Sequence, residues 1–280
     1  MSMRKKVFFA IMLLGVAVMT VHVVHALTFD RAIRIREVAF HSPRLPPEMS
    51  GYRIAFIADT HATSEDAQLL DIVALINDLD VDMLLLGGDY VSLRGEVWAR
   101  DRFRGLMFET MGVLGQIHTA DGIFGVQGNH DTTYYYAAMV AAGIRPLSNS
   151  GFRIREGFFV AGVQDYWRGR PDTHLATAGA DPDDFVILVT HNPDLTMTHD
   201  TAHVDLILAG HTHGGQITLL GLWAPALTLT NYITAHGQRF MSGWAYSRDG
   251  TPVFVTTGAG GYLPRIFARP EVVVISLFSY

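Results

Sequence analysis

Residues 210–216 read Gly-His-Thr-His-Gly-Gly-Gln and follow an apolar run, Val204-Asp205-Leu206-Ile207-Leu208-Ala209. Two imidazoles one residue apart, framed by glycines that let backbone come close to a small ligand, suit a bound metal ion or phosphate. Four more clusters of the same chemistry lie along the chain: Asp59-Thr60-His61, Gly87-Gly88-Asp89, Gly128-Asn129-His130-Asp131 and Thr190-His191-Asn192. The chain has no cysteine, so disulfides, thiolate ligands and cysteine nucleophiles are excluded and any metal must be held by nitrogen and oxygen.

Taken singly, Asp-Thr-His or Gly-Asn-His-Asp fits a turn or a helix cap as well as it fits a metal site. Their placement separates the readings. Each cluster follows a stretch patterned as a buried strand, at 52–58, 83–86, 122–126, 185–189 and 204–208. In open α/β sheets the carboxyl ends of strands collect ligands, because loops there vary while the sheet fixes their position. Helices are expected at 65–79, with Leu69, Ile72, Val73 and Ile76 on one face, at 97–117 and at 132–142; further strands are expected at 158–163, 252–256 and 272–275. The chain shows no internal repeat, low-complexity tract or interdomain linker.

The five clusters together, in this order, resemble the signature of the calcineurin-like metallophosphoesterases: D-x-H, then GD, then GNH[DE], a lone H, and GHxH. The resemblance runs from about residue 52 to 276. It implies a four-layer α-β-β-α sandwich of two mixed sheets flanked by helices, with catalysis on loops at one end. It also implies two divalent cations, one held by Asp59, His61, Asp89 and His213 and the other by Asp89, Asn129, His191 and His211, with Asp89 shared. Mixed His, Asp and Asn ligation suits Mn, Fe, Zn, Ni or Co. In the family the histidine at the position of His130 lies beside the leaving-group oxygen as acid or donor, and Asp131 is expected to orient it. No nucleophilic serine is required.

Residues 1–27 stand apart. A basic lead, Arg4-Lys5-Lys6, precedes an uncharged apolar stretch at 7–27, long enough at about 1.5 Å per residue to cross a hydrocarbon core of about 30 Å. Val24-His25-Ala26 resembles a cleavage site, but the stretch exceeds a typical signal core of about 7–15 residues, which favours an uncleaved anchor. The expected organisation is therefore an anchor at 1–27, a leader with a first strand at 28–50, and the catalytic domain at 51–280. Arg31, Arg34 and Arg36 beyond the stretch nearly balance the basic lead, so the charge rule gives only a weak preference for a domain outside the cytoplasm of a bacterial-type inner membrane. His22 and His25 are placed at the membrane boundary; His118, His174, His199, His203 and His236 match no motif.

With 280 residues, 49% apolar content and a formal net charge of −6, the chain can bury a large core and has no general attraction for nucleic acid. The expected partner is a phosphate-containing small molecule or lipid. The Gly-Gly-Gln extension and the stretch Thr257-Gly258-Ala259-Gly260-Gly261-Tyr262-Leu263-Pro264-Arg265 resemble a membrane-linked branch of the family that includes phosphodiesterases and UDP-2,3-diacylglucosamine pyrophosphatases of lipid A synthesis. Arg265 suits a phosphate or a structural carboxylate equally. Asp165-Tyr166-Trp167-Arg168 suits a pocket mouth or loop packing. A non-catalytic metal-binding scaffold is the rival from another class, but such a chain would be expected to lack a ligand or His130, and none is missing.

Overall fold

The computed structural model describes residues 2–63, 67–92, 100–131 and 133–280. A long helix, α1 (Met3–Phe29), is followed by β1 (Arg34–Ser42), β2 (Arg53–Ile57), α2 (Ala67–Asn77), β3 (Met83–Leu86), α3 (Arg100–Leu114), β4 (Ile123–Gly125), α4 (Tyr135–Ala141), β5 (Arg145–Pro146), β6 (Ser150–Arg155) and β7 (Phe158–Gly162). The second half adds α5 (Thr173–Ala176), β8 (Phe185–Thr190), α6 (Leu195–Thr198), β9 (Leu206–Ala209), α7 (Pro225–Leu229), β10 (Gly243–Tyr246), β11 (Pro252–Val255) and β12 (Glu271–Ser279). Residues 65, 97–99 and 132, where three helices were expected to begin, lie outside the described residues.

The strands form two six-stranded sheets, ordered β1-β12-β2-β3-β4-β5 and β10-β11-β9-β8-β7-β6. Both are mixed: β12 runs antiparallel to β2 in the first, and β6 and β10 run antiparallel to their neighbours in the second. Side-chain alternation assigns each face. In β2 and β3, Ala55, Ile57, Leu84 and Leu86 point to a core shared with Leu69, Ile72 and Ile76 of α2, Met107 and Met111 of α3 and Met139 of α4. Ile54, Phe56, Met83 and Leu85 point the other way and meet Phe158, Val160, Ile187, Leu206 and Phe254 of the second sheet.

The far face of the second sheet, carrying Val186, Leu188, Ile207, Val253 and Val255, packs on Ala176, Leu195 and Phe240. The architecture is thus helix, sheet, sheet, helix, although the last layer consists of one-turn helices instead of long ones. The order of strands and helices matches the expectation from periodicity. The additional strands β5, β6 and β10 lie at or next to sheet edges. β1 belongs to the first sheet, pairing with β12 along its nine residues.

α1 is uncharged after Lys6 and its most apolar stretch has no buried residue. Four residues separate it from β1.

The junction of β1 and β12 depends on Glu271, fully buried, which accepts from Arg34 Nη2 at 2.6 Å and Nε at 2.9 Å and from Thr256 Oγ1 and Thr257 N at 3.0 Å. Glu271→Ala removes the acceptor from two buried donors, Thr256 Oγ1 and Thr257 N, and from the half-exposed Arg34, and should lower the free energy of unfolding by about 3 kcal/mol. The denaturant midpoint in detergent would measure this, with Glu271→Gln expected to retain part of the loss; a change below about 0.5 kcal/mol would remove Glu271 from the framework.

Candidate metal centre

Five strands end at one place. β2 runs into Asp59 and His61, β3 into Asp89, β4 into Asn129 and His130, β8 into His191 and β9 into His211 and His213. Backbone bonds between neighbouring loops fix their spacing: Asp59 N donates to Gly88 O at 2.9 Å, His61 N to Asp89 O at 3.0 Å, and Gly210 N to His191 O at 3.0 Å. The two sheets are joined when His211 N donates to the Asp59 carboxylate at 2.9 Å. Asp59, His61, Asp89, His211 and His213 all have positive φ, a conformation costly for non-glycine residues that is retained where the surroundings over-determine it, as at functional sites. Close approach also explains a motif glycine: a Cβ on Gly128 would lie 2.2 Å from Asp89 Oδ1.

The donor atoms fall into two groups, Asp59, His61 and His213 in one and Asp89, His191 and His211 in the other, each with its atoms within 4.8 Å of one another. Asn129 joins the second through Oδ1, 3.0 Å from His191 Nε2. Asp89 lies between them, Oδ2 being 3.2 Å from His191 Nε2 and 3.7 Å from His61 Nε2.

The tautomers follow from the outward-facing nitrogens. His191 Nδ1 lies 2.8 Å from Gly87 O, His211 Nε2 lies 2.9 Å from Ile233 O, and His213 Nδ1 lies 3.1 Å from Gln216 Oε1. Each of those oxygens can only accept, so each outward nitrogen can carry a proton, which leaves the inward nitrogen free to offer its lone pair to a metal ion. His191 Nε2 and His211 Nδ1 then face each other at 3.2 Å. With both rings neutral two lone pairs would meet there and repel; a proton on His191 Nε2, or a metal cation in its place, removes the conflict.

Charge points the same way. Asp59 and Asp89 are fully buried; burial would raise their carboxyls, but His213 and His191 hold them well below the usual carboxylate range. Burial also works against charging His191, yet Asp89 and Asp59 carry it up to about 10. Without a metal a protonated His191 thus serves as counter-charge. Burial pushes His61 down to about 3, and burial together with the His191 charge pushes His211 down to about 4, which keeps both neutral and able to donate lone pairs.

A cavity of about 590 Å³ opens over the donors, lined by His61, Asp89, Asn129, His130, His211 and His213, with Trp167, Arg168, Gln216, Tyr232, Ile233 and Tyr262 as outer walls. His130 is the exposed motif histidine; Asp89 Oδ1 accepts from its backbone N at 2.7 Å and its ring lies edge-on to His61 with centroids 5.3 Å apart. Trp167 stands perpendicular to the His211 ring at 4.5 Å. Asp165 shapes that wall by accepting from Trp167 N and Arg168 N.

Three residues differ from their expected or unassigned roles. Asp131 binds backbone rather than the His130 imidazole: Oδ2 accepts from Gly128 N at 2.8 Å and Asp89 N at 2.9 Å, and Oδ1 from Tyr90 N at 3.0 Å. Burial and the Asp89 charge raise it to about 7, opposed by the amides of Gly128 and Tyr90. Arg265 does not line the cavity; it is fully buried and donates to the carbonyls of Thr257, Ala268 and Gly260, with Nη2 3.4 Å from His213 Nδ1. Gln216, to which spacing attached no role, donates to Tyr262 O and Pro264 O while its own Oε1 can accept from His213 Nδ1.

The Asp131 geometry has a measurable consequence. Asp131→Ala leaves three amides without their acceptor, each costing about 1–3 kcal/mol when buried, so the unfolding midpoint and metal content should fall together. Lost turnover with stability and metal content intact would instead assign Asp131 to the orientation of His130.

Known proteins are similar to this chain in sequence. A family model described as calcineurin-like phosphoesterase matches residues 52–215. A transmembrane protein with metallophosphoesterase domain from Bos taurus is 28% identical over 88% of this chain, which spans 57% of that longer relative. The metallophosphoesterase YkuE of Bacillus subtilis is 27% identical over 88% of this chain and 86% of its own length; the phosphodiesterase YaeI of Escherichia coli is 27% identical over 81% and 82%. Among solved structures, a dimetal phosphatase from Danio rerio superposes with a TM-score of 0.45 at 13% identity, covering 75% of this chain and 88% of that one. Because the matched region carries every cluster that meets at the strand ends, this chain belongs to the calcineurin-like phosphoesterase family.

Proposed function

We propose that this phosphoesterase hydrolyses a phosphodiester or diphosphate bond with two divalent cations, acting on a substrate presented at a membrane surface. The observation that carries the reading is the pair of donor groups with Asp89 between them beneath an open cavity, each of His191, His211 and His213 keeping its outer nitrogen on Gly87 O, Ile233 O or Gln216 Oε1 and its other nitrogen turned inward. When bound, such a pair supplies an acidified water and positive charge for the phosphoryl oxygens. Asp59, His61, Asp89 and His213 would hold one cation and Asp89, Asn129, His191 and His211 the other. Mn, Fe, Zn, Ni and Co all suit these ligands.

The protein's own side chains do the rest. Asp89 carries the negative charge that lets two like-charged ions sit close together. Asn129 adds an oxygen without charge, leaving net positive charge for a phosphate. His130, exposed on the cavity wall, is placed to give a proton to the departing oxygen. Trp167 and Tyr262 narrow the mouth, and Arg168 adds a cation at its rim.

The membrane part of the proposal is supported by α1, long and apolar enough to span a bilayer, and by the transmembrane character named for the bovine relative. A bacterial-type inner membrane is the proposed location. A UDP-2,3-diacylglucosamine pyrophosphatase activity requires the domain to face the cytoplasm, where that nucleotide lipid is made; a phosphodiesterase activity, the one named for the relative from Escherichia coli, is compatible with either face.

The test is hydrolysis by the full-length, Mn-loaded protein of bis-p-nitrophenyl phosphate and of UDP-2,3-diacylglucosamine in parallel. Turnover of the artificial diester is expected, with release of UMP from the lipid deciding for the nucleotide-lipid activity. Asp89→Asn should lower kcat about a thousandfold, as expected for the loss of several kcal/mol of charge stabilisation, and reduce the metal content from two per chain. His130→Ala should lower kcat by about a hundredfold or more with both metals retained. Full metal content without turnover of either substrate would favour a binding scaffold.

A further inference from the structure

We propose that the segment at 217–232 inserts its apolar side chains into the interfacial layer of the bilayer crossed by α1, so that the metal cavity opens at the lipid surface. This rests on reading α1 as a membrane span. Residues 217–232, Ile-Thr-Leu-Leu-Gly-Leu-Trp-Ala-Pro-Ala-Leu-Thr-Leu-Thr-Asn-Tyr, contain no charged residue. Loop tips are ordinarily polar, because their backbone and side chains face water. Here Leu219 N bonds to Trp223 O at 2.7 Å and closes a turn through Leu220 and Gly221, both with positive φ. Leu222 is left 81% exposed at the tip, Leu229 on α7 is 73% exposed and Tyr232 is 84% exposed, with Ile217, Leu219, Leu220 and Trp223 open beside them. A contiguous apolar face of this kind marks an interaction surface, and leucines flanked by Trp and Tyr match the composition of a membrane interface.

The register of α1 against the domain identifies the occupant. The last two turns of the helix are docked: His22 Nε2 lies 3.2 Å from Thr218 O and 3.4 Å from Leu220 N, and His25 packs on Phe267 at 4.1 Å and accepts from Phe267 N. The uncharged residues 7–21 of α1 project from the domain over about 22 Å at 1.5 Å per residue, so a hydrocarbon core of about 30 Å extends into the docked turns. The edge of the bilayer therefore falls along the docked turns, beside Leu220 and Phe267. The apolar tip lies in that plane, fixed there without a linker.

The same segment borders the chemistry. Gln216 precedes it, and Tyr232 with Ile233 ends it; all three line the cavity over the metal donors. A second, polar cavity of about 220 Å³ is bounded by Arg31, two residues beyond the end of α1, and shares His61 and Tyr262 with the first. Both openings of the site adjoin the docked end of the anchor.

Since the chain lacks cysteine, Leu222→Cys in the full-length protein accepts a single environment-sensitive nitrobenzoxadiazole probe. Reconstituted into phosphatidylcholine and phosphatidylglycerol vesicles, the probe at 222 should shift its emission to the blue and be quenched by doxyl-labelled lipids. A control at Leu175→Cys, on exposed α5, should do neither. Absence of quenching at 222 overturns the proposal, and a blue shift without doxyl quenching assigns the surface to a second copy of the chain. The pair Leu222→Asp with Leu229→Asp should leave hydrolysis of soluble bis-p-nitrophenyl phosphate unchanged while raising KM for a vesicle-borne phosphodiester about tenfold, the order expected from withdrawing two leucines from the interface; an unchanged KM also overturns it. Quenching at 222 with no hydrolysis by the unsubstituted protein would defeat the proposed activity and leave the docking surface standing.

Discussion

The most demanding contact in this molecule is the meeting of imidazole lone pairs and buried carboxylates at the ends of five strands. His191 Nε2 and His211 Nδ1 face each other at 3.2 Å, with Asp89 and Asp59 fully buried beside them. Neutral rings in these orientations repel, and unpaired buried carboxylates are costly. A proton on His191 meets both conditions in the metal-free protein, and a metal cation would meet them in its place. The surrounding architecture holds these groups together. Two sheets bring loops from opposite halves of the chain within hydrogen-bonding distance, and five of the donors keep left-handed backbone conformations. The loops cannot relax singly, because each bonds to the next.

That bracing comes from residues outside the donor set. Asp131 ties the loop after β4 to the one after β3 through the amides of Asp89 and Tyr90, and braces its own loop through Gly128 N. Arg265 gathers the carbonyls of 257, 260 and 268 behind the first donor group. Burial lowers its pKa to about 10 while the charges of Asp59, Glu271 and Asp30 oppose that shift, so it remains a cation at neutral pH. Gln216 joins the histidine pair to the glycine-rich loop and selects the His213 tautomer with the same side chain. The seven residues from 210 to 216 therefore combine donors for both groups with the brace that aims one of them. Glycine at 215 is required by contact as well as by conformation, since a Cβ there would meet Ala224 Cβ at 2.2 Å.

The donors were legible in the sequence because each lies immediately after a short apolar run, and a buried strand has to stop before its polar ligand begins. What escaped was set by distance along the chain. Gln216 reaches Tyr262, 46 positions on, and Arg265 reaches back to Asp30 through its backbone N; no local spacing encodes such contacts. Asp131 adjoins His130, and the family resemblance implies that it orients that ring, but an acidic side chain in a tight turn can reach several amides of its own and a neighbouring loop more easily than the ring of the preceding residue. Strand assignments failed at the margins for a similar reason. β6 and β10 are edge strands with solvent on one side, and they lack the continuous apolar run that marks β2, β3 and β8.

The helix that precedes the domain alters how the site can be used. A flexible tether would let the cavity sample a range of heights and orientations above a membrane, and the anchor would then act only through effective concentration. Here α1 ends at Phe29 and β1 begins at Arg34; Arg269 caps the junction over the Phe29 ring at 4.7 Å and bonds to Ala32 O. Such a junction transmits the tilt of the helix to the sheet. Under the anchored reading, the height of the metal donors above the lipid is a property of the fold, and a phosphate buried too deeply or held too far out in solution is equally poorly placed. Selectivity among phosphate-bearing substrates would then come in part from the depth at which the phosphate rides, a criterion that requires no contact with the rest of the molecule.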